Sequence, residues 1–162
     1  MKDVITNSMN DIPKLIVNEA WSVRQLVRAL GDLNDSIYAT KKLEIIFTDR
    51  AFVKIDTIAF LTAWCLEAQR ENVEFSLSGS SSRLLYLARM NFNKSLGLQE
   101  PIYQRHSEIG RFIPIKLVRD DEDVATTVNG ICELVMHQID HAADFIPAME
   151  WAVNEIIDNI RI

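Results

Sequence analysis

Apolar residues recur with two distinct periods along the chain, and the alternation of those periods is the first clue to its architecture. Residues 22–33 carry Val23, Leu26, Val27, Leu30 and Leu33 at helical spacing, which predicts one amphipathic helix with Ser22 as its N-cap. Gly31, Asp32 and Asn34 weaken the end of that pattern. Residues 42–49 (KLEIIFTD) are short and rich in β-branched and aromatic side chains, the mark of a buried strand. Residues 57–69 return to helical spacing through Ile58, Leu61, Thr62, Cys65 and Ala68. Residues 73–77 (VEFSL) predict a second strand, ended by Ser78-Gly79. A serine-capped helix over 80–91 follows, with Leu84, Leu85, Leu87 and Ala88 as its apolar positions.

Beyond the loop that holds Gly97 and Pro101, residues 112–118 (FIPIKLV) predict a third strand, with Pro114 suited to an edge. From Asp123 the pattern is helix, break, helix. Val124, Val128, Ile131, Leu134, Val135 and Ile139 share one stripe, and Pro147 stands in the first turn of the last helix. Strands alternating with helices over 42–98 predict an α/β layer, helices packed on a sheet.

Charge adds a boundary. Residues 1–118 hold 15 Lys and Arg against 13 Asp and Glu, whereas residues 119–162 hold 2 against 10. The acidic tail argues against phosphate contacts, and the front half has no basic stripe, so nucleic-acid binding is not expected. With 48% hydrophobic and 25% charged residues the composition is that of a globular protein. No apolar run reaches the length of a membrane span and no signal-peptide core opens the chain, so a cytoplasmic location is expected. Cys65 and Cys132 fall inside apolar helical patterns and read as reduced core thiols.

Two resemblances refine this. Residues 42–98, KLEIIFTDRAFVKIDTIAFLTAW and then VEFSLSGSSSRLLYLARMNFNKSLGL, resemble a STAS domain, the fold of anti-sigma-factor antagonists and of sulfate-transporter tails. The likeness rests on element order and apolar placement over about a third of the chain. In that family a strand ends in an aspartate-serine-serine-glycine turn that starts a helix. Aligning Phe52-Val53 with that strand end puts Lys54 on the aspartate, Ile55 and Asp56 on the serines, and Thr57 on the glycine. The phosphorylatable serine is then Asp56, whose fixed charge imitates part of a phosphoserine. Thr57 is the alternative acceptor. The plainer role of Asp56 is to cap a helix beginning at Thr57.

The final residues, 146–162 (IPAMEWAVNEIIDNIRI), contain Asn154-Glu155-Ile156-Ile157-Asp158-Asn159, which resembles the N-box of the GHKL ATPases of histidine-kinase and gyrase type. The resemblance implies that Asn159 reaches magnesium and that Glu155 orients a water as general base in a completed domain that binds ATP. Such a domain needs roughly another hundred residues. On one straight helix Ala148, Ala152, Glu155 and Asn159 would share a polar face, with Met149, Val153, Ile156 and Ile160 on the apolar one.

Other chemistry is thin. His137 and His141 stand four apart near Asp140 and Asp144, without the context of a zinc motif. Ser80-Ser81-Ser82 after Gly79 reads as a helix cap rather than a nucleophile elbow. The expectation is therefore a STAS-like α/β domain over 1–110, followed over 111–162 by a strand and two helices from the start of a GHKL-type fold. Such a chain would be a non-catalytic regulatory module without a cofactor of its own. It would bind a protein partner or a second copy through the turn at 52–57 and the helix at 57–69. The rival expectation is a fragment of an ATP-binding GHKL ATPase or protein kinase. A third is an unrelated α/β domain.

Overall fold

A computed structural model describes residues 11–102, 111–140 and 142–160, with side chains through Ile157. The chain is α/β, with six helices and small parallel sheets among the described residues. It forms two compact units, one within residues 1–103 and one within 104–162.

In the first unit the elements run β1 (Lys14–Val17), β2 (Ala20–Trp21), α1 (Val23–Thr40), β3 (Lys42–Phe47), β4 (Phe52–Val53), α2 (Ile55–Arg70), β5 (Glu74–Gly79), α3 (Ser81–Arg89) and α4 (Phe92–Ser95). β3 lies between β1 and β5, parallel to both, with Lys14 opposite Glu44 and Lys42 opposite Glu74. β2 and β4 form a separate parallel pair, Ala20 with Phe52 and Trp21 with Val53.

Side chains alternate across a strand, so the odd-numbered residues point to one face. On that face Leu15, Leu43, Ile45 and Phe47 are each at most 1% exposed. They are covered by α1 through Leu26, Leu30, Leu33 and Ile37, and by α2 through Ile58, Leu61 and Cys65. Trp64 of α2 meets Phe75 of β5 edge-on, ring centroids 6.1 Å apart at 72°. The strand order runs in one direction, and right-handed crossovers then place both connecting helices on the same face. The even-numbered face is different. Ile16 and Ile46 are half-buried, and Glu44 accepts from Ser78 Oγ at 2.8 Å while pairing with Lys14 Nζ at 3.5 Å.

Helix α1 runs on past Leu33 to Thr40 despite Gly31, Asp32 and Asn34. Burial of Ile37, 0% exposed, outweighs the weak helix formers, whose own positions are exposed. Its start is a full capping box: Gln25 N donates to Ser22 Oγ while Ser22 N donates to Gln25 Oε1 at 2.9 Å.

In the second unit, α5 (Asp121–Gln138) and α6 (Ile146–Ile160) are joined through a short 3-10 turn, Ala142–Asp144. Val124, Val128 and Cys132 form its buried centre, with Val118, Ile146, Met149, Val153 and Ile157 packed on it. Asp120 caps α5 by accepting from Asp123 N at 2.8 Å, and three acidic residues in the first turn suit the positive end of the helix dipole. Among the described residues the segment 112–118, expected as a strand, enters no ladder, and Val118 packs on the helix pair. A proline at 114 removes one donor that a ladder would need. No helix among the described residues is long and apolar enough to cross a membrane.

Gly79 holds β5 against β3. Its φ is +115°, and a Cβ there would stand 2.2 Å from the Phe47 carbonyl oxygen; Ser80 N donates to that same oxygen at 2.7 Å. Gly79→Ala therefore combines left-handed strain with a backbone clash and is expected to cost about 3 kcal/mol or more, measured as a lower urea midpoint.

Candidate functional site

The turn between β4 and α2 is the best-defined candidate. Thr48 O accepts from Ala51 N at 3.0 Å, closing the connection out of β3. The chain then pairs briefly with β2 before α2 begins. Helix α2 starts at Ile55 with Lys54 as N-cap, two residues earlier than the pattern predicts, and no side chain caps it. Asp56 is consequently not the N-cap. It lies in the first turn, exposed, and its Oδ1 accepts from Thr57 N at 2.8 Å. Negative charge there is favourable at the helix's positive end.

Thr57 is 3% exposed, and its Oγ1 donates to the Trp21 carbonyl at 2.9 Å. That bond ties the helix start to β2 and keeps the hydroxyl away from solvent. The aligned residues thus separate into an exposed carboxylate at 56 and a buried, engaged hydroxyl at 57. Beside them Phe52 and Ile55 project large apolar side chains, 58% and 61% exposed. Along α2 the same outer face continues through the exposed Ala59 and Ala63 to Glu67.

Ser80 is the N-cap of α3, but its side chain makes no cap bond; its Oγ lies 3.1 Å from Ser82 Oγ. Arg83 Nη2 donates to Asp49 O at 3.1 Å, while Arg83 Nε and Thr48 Oγ1 are buried without partners. No base stands beside any of these serines among the described contacts, so the arrangement is that of a strand-to-helix junction.

In the second unit Glu155 is exposed on α6. The inward face of α6 is Ile146, Met149, Val153 and Ile157, whereas Ile156 is 59% exposed and Trp151 68%. The apolar face is therefore turned by one residue from the expected set, with Ile157 in place of Ile156. The helix includes position 159, but the side chains of Asp158, Asn159 and Ile160 lie outside the described residues. His137 lies in the last turn of α5 and Asp144 in the 3-10 turn, while His141 lies outside the described residues. No group of three or more His, Cys, Asp or Glu among the described residues could hold a metal ion.

Both thiols are inside. Burial pushes Cys65 far up from its ordinary value, and burial followed by the Glu150 carboxylate raises Cys132. Neither offers a thiolate for chemistry near neutral pH.

Besides β1, pattern reading misses two features of the first unit. One is the β2–β4 pair, whose strands of two residues are too short for any period to show. The other is a cleft of about 430 Å³ beside β5, where Asn93 sits 4% exposed. A polar residue in a four-residue helix carries no sequence signal of burial.

No family model matches the chain, and neither a curated protein nor a solved structure matches it.

Thr57→Val keeps the volume but strands the Trp21 carbonyl, with an expected loss of about 1–2 kcal/mol in chemical denaturation; Thr57→Ser should retain most of the stability.

Proposed function

We propose that the chain is a non-catalytic regulatory module that binds a protein partner, with a STAS-like first unit as the contact domain. The observation that carries this reading is the pair of large apolar side chains, Phe52 and Ile55, held out at 58% and 61% exposure on either side of a turn that Thr57 anchors to Trp21. Exposed apolar groups on a rigid scaffold are suited to recognition, because little ordering entropy is lost when they are covered. Ala59 and Ala63 extend the surface as a smooth strip down α2, on which a partner backbone or helix could pack closely. Lys54 and Asp56, both exposed, supply charges of opposite sign at its edge.

The order strand, helix, strand, turn, helix, strand, helix agrees with the STAS-like reading, and the contact surface falls where that family places its switch. Asp56 would supply a permanent charge there, so partner binding would be constitutive rather than gated by phosphorylation. In the second unit the α5–α6 pair serves packing. Glu155 stands on its solvent side, which supports a structural reading of the helix that resembles the N-box.

A photo-crosslinking residue placed at Ala59 tests the reading. It should join a defined protein in cells, and Phe52→Ser with Ile55→Ser should abolish the adduct while folding stability changes by less than about 0.5 kcal/mol per site. An adduct that survives the double substitution, or that forms equally from exposed Asp35 on α1, would refute the proposed surface.

A further inference from the structure

Half of the large exposed apolar side chains among the described residues belong to the helical pair of the second unit. They are Met136, Ile139, Phe145, Trp151 and Ile156, each between 48% and 68% exposed. They are not scattered. Met136 and Ile139 stand where α5 ends, and Phe145 stands where α6 begins, its carbonyl accepting from Met149 N at 2.9 Å. From Phe145 the chain places Ala148, Ala152 and Ile156 at steps of three, four and four, which is one line along a helix.

That line runs one residue behind the inward row of Ile146, Met149, Val153 and Ile157, and its members are exposed or half-buried. Trp151 stands beside it, three residues on from Ala148. Helix α6 is thus apolar on two adjoining faces, and α5 covers one of them. Contiguous exposed apolar surface of this kind marks an interaction site, whereas single exposed side chains do not.

Charge decides what can cover it. Arg119 and Arg161 are the basic residues of 119–162, and between them stand ten Asp and Glu with no Lys or Arg. Asp144 adjoins Phe145 and Glu155 adjoins Ile156, both exposed. A second copy would bring ten more carboxylates to the contact, and like charges brought together oppose association. Residues 1–118, with 15 basic against 13 acidic, carry little of the opposite sign to offer. Anionic lipid and nucleic acid are repelled for the same reason. A partner that is apolar along one line and basic beside it satisfies both features of the face.

We propose that this face of α6 docks a basic amphipathic helix of another protein. Its apolar residues, at steps of three and four, lie along Phe145, Ala148, Ala152 and Ile156, and its Lys or Arg side chains meet Asp144 and Glu155. The face uses none of the residues of the turn at Phe52 and Ile55, so either surface can fail without the other.

The probe is a synthetic peptide of leucine and lysine with its leucines at helical spacing, labelled and titrated with the full chain by fluorescence anisotropy. Binding should saturate and should weaken as salt is raised. A peptide of the same composition with its leucines out of register, and one with every lysine replaced by glutamate, should each bind at least about tenfold less tightly. Phe145→Ser with Ile156→Ser should lower the affinity at least about tenfold with an unchanged far-UV circular dichroism spectrum, because both side chains already face solvent. Asp144→Lys with Glu155→Lys should weaken binding as well, while Phe52→Ser with Ile55→Ser should leave it unaltered. Equal binding of the out-of-register peptide would reduce the contact to charge alone and overturn the proposal. Binding that survives the changes at Phe145 and Ile156, or that is lost with those at Phe52 and Ile55, would overturn it too. A wild-type chain that self-associates at micromolar concentration, and ceases to in the Phe145 and Ile156 variant, would give the face to a second copy instead.

Discussion

Parallel pairing of β3 on both of its edges is the constraint from which the first unit follows. Glu44 N and Thr48 N reach back to Pro13 O, just before β1, and to Val17 O at its end, each at 3.0 Å, while Lys41 O and Phe47 O accept from β5 and its exit. A strand used on both sides cannot slip by one residue without turning Leu43, Ile45 and Phe47 out of the core. All three are at most 1% exposed. At about 25 cal/mol per Å² of apolar surface, three such side chains turned to solvent would cost several kcal/mol, comparable to the whole stability of a small domain. The register is thus set by burial and closed at its far end by the Phe47–Gly79 contact, which leaves no room for a side chain.

That register also positions the turn. β3 ends at Phe47, the chain reverses through Thr48–Ala51, and Ala51 is fully buried. The exit point of β3 is therefore fixed, and the short β4 can only lie against β2. Thr57 then anchors α2 to Trp21, so the first turn of that helix inherits its position from the sheet. Phe52 and Ile55 are exposed on this rigid mount because the residues between and behind them, Val53 and Ile58, are held inside at 5% and 0%. Alternation between buried Ala51 and Val53 puts Phe52 on the surface, and Ile55 stands outside in the first turn of α2, where Lys54 and Asp56 are exposed as well.

The elements legible in the sequence are those whose burial had a period to express. β3, α2, β5 and α5 each bury a repeating set, and their spacings of two or of three and four are visible in the letters. β1 was not legible, since Lys14–Val17 offers four residues with only Leu15 and Val17 turned inward. Residues 112–118 differ in the opposite direction, entering no ladder among the described residues. Their composition is that of a strand, but composition reports only a wish for burial, and Val118 obtains its burial from α5 and α6. Helix α1 runs past its predicted end because Gly31 and Asn34 weaken a helix only locally, while Leu33 and Ile37 hold it from the core. At the candidate site, the importance of Thr57 was visible but its role was not: a hydroxyl bond to a carbonyl 36 residues away has no local signature.

The closing helix shows how little a motif says without its surroundings. Its inward row, Ile146, Met149, Val153 and Ile157, advances by three and four residues, which leaves position 155 on the far side of the cylinder. A carboxylate acts as a base on bound water only where its surroundings raise its affinity for a proton and exclude bulk solvent. Glu155 is exposed to solvent on α6, away from that inward row. The spacing of glutamate and asparagine is preserved, but spacing is a property of any helix. What separates a catalytic face from a solvated one is the second surface that covers it, and the covered surface in this unit is the opposite one, where Val124, Val128 and Cys132 meet α6.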